Sequence, residues 1–167
     1  MHAESILGDI DDPAFAARRR HTVDIGWGDA TKARQLVVSD TGLQVRIMLP
    51  RGSFLADGAV IADDGEYVVV VRRPPEPAVT VRFAHNTGVD GARRLLVLGY
   101  LLGNQHAPID LTGDAIAAPL FTSAEAARAL LADLGIDGTV GDVPLAPAGW
   151  ARTSGDQTNG HHHHHDD

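Results

Sequence analysis

Cysteine is absent from the 167 residues, which excludes disulfides, iron–sulfur clusters and thiolate zinc sites. Any metal ion must be held by nitrogen and oxygen. Aromatic residues make up only 5%, so the core must be filled by Val, Leu, Ile and Ala. Basic residues are scarce too: 14 Lys and Arg stand against 22 Asp and Glu, a formal net charge of −8. Phosphate backbones repel such a surface, which sets nucleic acid aside as a partner. The one basic run, Arg18-Arg19-Arg20, is too short to reverse that. A negative surface does suit the approach of a divalent cation. No apolar stretch reaches the ~18–20 residues of a membrane span. The opening MHAESILGDIDDPAF also lacks the basic start and apolar run of a signal peptide. The expectation is a cytoplasmic protein with no membrane partner.

What is present is punctuated β pattern, then helical pattern. Leu43, Val45, Ile47 and Leu49 alternate with Gln44, Arg46 and Met48, a period of two. Asp40-Thr41-Gly42 before them predicts a turn, so 34–39 and 43–49 form a hairpin. Ala59 to Ala62 predicts a short strand and Asp63-Asp64-Gly65 a turn. The β-branched run Tyr67 to Val71 predicts a buried strand. Pro74, Pro75 and Pro77 then interrupt the ladder, which places a domain boundary there.

Beyond it, residues 79–84 predict a strand. Ala92, Leu95, Leu96, Gly99 and Leu102 fall at helical spacing, with Gly103-Asn104 as the stop. Two strand-like pieces lie in 108–120, around Gly113-Asp114. Thr122 or Ser123 caps a second helix with the stripe Ala126, Ala127, Leu130, Leu131 and Leu134, ended by Gly135. Residues 139–145 predict a last strand. The order β-α-β-β-α-β is the ferredoxin-like arrangement. The fold class is therefore α+β: a small all-β domain over 1–77, a ferredoxin-like domain over 78–150, and a polar, aperiodic, His-rich tail over 151–167 expected to be disordered.

No nucleophile–base signature is evident, and Gly26-Trp27-Gly28 lacks the strand–loop–helix setting of a phosphate loop. The chain is not expected to be an enzyme. Its chemistry lies in nine histidines: His2, His21, His85, His106 and the run His161, His162, His163, His164 and His165. Neutral imidazole binds nickel, copper and zinc. A purification tag would also contain such a run, although this one has five histidines and is followed by Asp166-Asp167. A flexible tail of this length spans roughly 20–25 Å root-mean-square and can share an ion with the body. His106 follows the first helix of the second domain in Gly103-Asn104-Gln105-His106, where a sharp reversal can present its ring. A lone loop histidine is often structural, and one is too few for a metal site. A two-fold dimer would double it. His85 is a candidate supplementary ligand; His2 and His21 read as solvent-facing.

Gly103-Asn104-Gln105-His106 resembles the Gly-Asn-Arg-His signature of the UreE-type urease accessory family. Leu49-Pro50-Arg51-Gly52 followed by Asp57-Gly58 is similar to that family's Leu-Pro-Arg-Gly…Asp-Gly-Asp segment, and a histidine-rich C-terminus is usual there. The resemblance implies a first domain similar to a chaperone peptide-binding domain and a second, ferredoxin-like domain that dimerises. It implies a Ni²⁺ metallochaperone in which His106 of both chains holds the ion at the interface. The ion passes to the urease accessory GTPase and the urease maturation complex. Zn²⁺ and Cu²⁺ are competing ions. The chain departs from the family pattern at Leu101, often histidine there, at Gln105 and at Ala59. Thr122-Ser123-Ala124-Glu125 also lacks the auxiliary histidines of some members. A nickel or zinc storage protein, and a peptide-binding module with incidental histidines, are the alternatives.

Overall fold

The computed structural model describes residues 1–111 and 113–150. The mixed α+β class is borne out, with a sheet-rich first part and two helices with strands in the second. Ten strands are described: β1 (His2–Ala3), β2 (Gly8–Asp9), β3 (Arg19–Asp24), β4 (Arg34–Val38), β5 (Gln44–Met48), β6 (Ala59–Asp63), β7 (Tyr67–Arg72), β8 (Pro75–Arg82), β9 (Ala115–Pro119) and β10 (Thr139–Pro144). The helices are α1 (Gly88–Asn104) and α2 (Ala124–Asp133). Two compact units form. One comprises residues 1–78 and 141–149; the other, among the described residues, comprises 79–140 and Trp150.

The first unit holds two sheets, ordered β1-β5-β4 and β2-β6-β7-β3. The hairpin β4–β5 is antiparallel, with Leu36 opposite Arg46 and Val37 opposite Val45. Ser39 organises its turn: its Oγ accepts from the Thr41 and Leu43 amides. The unbroken valines of β7 are explained by cover on both faces. Val69 and Val71 join Val23, Ile25, Val45, Ile47 and Ile61 in the main core. Val68 and Val70 pack with Phe15 and Val60 on the other side. Each such side chain contributes roughly 1.5–3 kcal/mol on burial.

Two carboxylates at the rim of this unit lie below their ordinary pKa. Arg72 donates to Asp24 through Nε at 2.6 Å and Nη2 at 2.9 Å and lowers it. Asp64 Oδ1 accepts from the amides of Tyr67 (2.7 Å) and Glu66 (3.0 Å), which lower it in that order. A depressed carboxylate contributes stability above its unfolded value, near 4. That contribution is lost as pH falls through the lower folded value. Urea midpoints should therefore decline as pH drops from about 5 to about 2. The Asp24→Asn/Asp64→Asn variant should show a flatter profile. An equally steep variant would contradict the assignment.

A third sheet is ordered β10-β8-β9, and the second unit contains β9 with parts of β8 and β10. Val81, Leu98, Leu131 and Ile136 form its core. Ser123 caps α2, its Oγ accepting from the Ala126 amide at 3.1 Å. Three differences from the sequence reading have physical causes. First, β8 begins at Pro75 rather than at 79: its prolines occupy the first three residues, where a missing amide costs least. Second, the first of the two strand-like pieces in 108–120 is reduced to an isolated antiparallel bridge between Asp110 and Ala117. Third, the buried face of α1 carries Gly91 and Leu98, with Leu95 and Leu102 packed against that core, and not Ala92 or Leu96. A side chain at Gly91 would collide with the Asn86 carbonyl, so the helix start needs glycine there. Leu96 is 75% exposed. Among the described residues no helix is long and apolar enough to cross a membrane.

Candidate metal centre

The end of α1 is closed by a specific backbone device. The Ala107 amide donates to the Leu102 carbonyl and the His106 amide to the Gly103 carbonyl, each at 3.0 Å. These are the two bonds of a Schellman cap, with Gln105 as C-cap and His106 at the following position. That position requires left-handed backbone, and His106 has φ of +53°. Glycine is the usual occupant; a side chain there costs on the order of 1 kcal/mol. The apolar contact that accompanies such caps is served by buried Ala107 near Leu102. The predicted stop at Gly103-Asn104 therefore moves two residues on, because both remain helical and His106 takes the left-handed turn. The imidazole is exposed.

The remaining histidines are dispersed. His85 precedes α1 and lies 3.4 Å, through Nδ1, from Asp137 Oδ2. Asn86 fixes Asp137: its Nδ2 donates to the Asp137 carbonyl and its Oδ1 accepts the Asp137 amide. The 17 residues of α1 separate His85 from His106 by about 25 Å, so one ion cannot bridge them within a chain. His21 is half-buried rather than solvent-facing. It stacks on Tyr67 at 4.7 Å between centroids, and its Nδ1 lies 2.6 Å from Thr41 Oγ1. His2 sits exposed on β1. Among the described residues, no three His, Asp or Glu side chains come together as a metal site. His161, His162, His163, His164 and His165 lie outside the described residues.

The departures from the family signature have places in this geometry. Leu101 and Gln105 line an apolar pocket between α1, β9 and α2, with Leu98, Phe121 and Leu131. Leu101 thus lines the same pocket as the C-cap residue Gln105. A residue that sequence reasoning missed is Arg73. It is only 3% exposed, and its Nη2 donates to the Leu145 carbonyl at 2.9 Å. Its guanidinium also lies 5.4 Å from the centre of the Phe54 ring. Burial lowers its pKa, partly offset by Glu76 and Asp57. A lone arginine after a valine run gives no sign of such burial.

Comparisons with known proteins bear on the whole chain. Residues 3–73 match the model of the UreE urease accessory protein, N-terminal domain, and residues 76–167 that of the C-terminal domain. Urease accessory protein UreE of Polaromonas naphthalenivorans is 35% identical over 99 residues, covering 58% of this chain and 46% of the relative. That of Paraburkholderia xenovorans is 36% identical over 98 residues, covering 58% and 40%. That of Albidiferax ferrireducens is 35% identical over 99 residues, covering 58% and 55%. The aligned stretch spans about half the length of the curated relatives it matches. With both domain models matched in order along it, the chain belongs to the UreE urease accessory protein family.

Proposed function

We propose that this chain captures Ni²⁺ and delivers it, unaltered, to the urease maturation complex through the accessory GTPase, in the cytoplasm. The observation that supports this best is the placement of His106: exposed, left-handed, and fixed by a rigid cap at the end of α1. Val89, Leu96 and Tyr100 are exposed along the outer side of the same helix, at i, i+7 and i+11. A two-fold contact along that stripe would cover it and place two His106 rings beside one axis. Two imidazoles leave coordination positions open, which His161 to His165 of either chain can fill. Nitrogen donors without thiolate suit nickel, and Zn²⁺ or Cu²⁺ would compete.

Light scattering tests the arrangement first. The parent should be a dimer, and Leu96→Glu or Tyr100→Glu should be a monomer with unchanged fold, because both residues are exposed within one chain. A monomeric parent with and without Ni²⁺ would sink the dimer. Nickel titration of a variant lacking residues 160–167 should then lose ions bound rather than its tightest site. Co-purification with the accessory GTPase separates delivery from storage.

A further inference from the structure

The outer face of the sheet β1-β5-β4 carries apolar and basic side chains together. Leu36 is 62% and Val38 60% exposed on β4, and Met48 is exposed on β5. Among them stand Arg34, opposite Met48, and Arg46, opposite Leu36. Arg51 lies with Arg34 in an open depression at the end of β4. Among the described residues no hydrogen bond or ion pair engages the side chains of Arg34, Arg46 or Arg51, although acidic residues outnumber basic ones. β4 is also an edge strand. Ala33 and Ser39 bond inward, to the Leu49 amide and the Leu43 carbonyl. Alternation along an antiparallel pair then turns the peptide groups of Arg34, Leu36 and Val38 off the edge. Proteins usually blunt such an edge; here Leu36 sits at its centre and Val38 at its end, before the Asp40 amide that donates to the Thr22 carbonyl.

We propose that β4 is a docking edge for an acidic, extended segment of another protein, which adds as a further strand and sets its carboxylates against Arg34, Arg46 and Arg51. Main-chain bonds to the edge supply affinity, and the arginines supply the choice of partner. Charge complementarity selects this occupant over a second copy of the chain: pairing two β4 edges would gather the arginines of both copies on one face. The inference does not rest on His106 or on any bound ion.

The test uses the whole chain and labelled peptides of about eight residues, a usual strand length. In one, valine or threonine alternates with glutamate; in the other, with lysine. The glutamate peptide should bind at least about tenfold tighter than the lysine peptide. Arg34→Glu/Arg46→Glu should invert that order, with its circular dichroism unchanged. Leu36→Pro removes an outward amide without touching the inward ladder and should abolish binding. Nickel titration of each variant should match the parent, which keeps failure here distinct from failure of the ion site. No binding of the glutamate peptide overturns the proposal. So does affinity that survives charge reversal, or self-association of the chain that Leu36→Pro removes.

Discussion

His106→Gly is expected to raise the melting temperature of the metal-free protein while removing its tightest Ni²⁺ site. The two effects separate because they come from different parts of the residue. The backbone of His106 sits at φ +53°, where glycine is free of the Cβ clash, so up to about 1 kcal/mol is recovered. For a chain of this size that is about 2–4 °C. In the function proposed above, the side chain is the ligand. Perturbing groups that merely orient a ligand costs about 10–100-fold in metal affinity, so loss of the ligand should cost at least about 100-fold. His106→Ala should lose the ion equally but gain no stability, since alanine keeps the clash. Calorimetric nickel titration and thermal unfolding on the same samples read both quantities. A glycine variant that keeps the tight site would move the site elsewhere. One that melts below the parent would show that the imidazole contributes more to the fold than its backbone costs.

Arg73→Ala is expected to destabilise the first unit by about 3 kcal/mol. The guanidinium is buried and donates to the Leu145 carbonyl at 2.9 Å and, more weakly, to the Leu55 carbonyl at 3.4 Å. Truncation leaves both acceptors without that donor and opens a cavity against Phe54. Among the described residues Arg73 Nε has no hydrogen-bond partner, so the parent already bears part of a desolvation cost. Arg73→Met, which fills the space and removes the charge, should therefore lose less than Arg73→Ala. Faster hydrogen exchange of the Asp57 amide, which donates to the Pro147 carbonyl at 2.8 Å, should accompany the loss. An alanine variant with parental urea midpoint and exchange would show that Leu145 is held by packing alone.

Most of the strands were legible because their signals are local. The hairpin 34–48 follows from alternation and a turn at Asp40-Thr41-Gly42, and β7 from its valines. The parallel pairings of β1 with β5 and of β3 with β7 join segments far apart in sequence, and alternation within one strand says nothing about its neighbours. The faces of α1 were misread for a related reason. The helix is apolar on most sides, so spacing alone cannot separate the buried Leu98 from the exposed Leu96; packing decides. His106 was legible as a candidate, since Gly-Asn before it marks a helix end. Its left-handed geometry was not, because glycine at 103 suggested that the reversal would occur there.

The return of residues 141–149 to the first unit makes that unit discontinuous along the chain. Leu145 and Ala146 are fully buried, and Arg73 and Asp57 grip the carbonyls on either side of Ala146. A fragment cut after residue 78 would keep every strand of both sheets yet lack the plug beneath Arg73. The gene can be divided between the two domain models; the folded body cannot be divided there without leaving a hole.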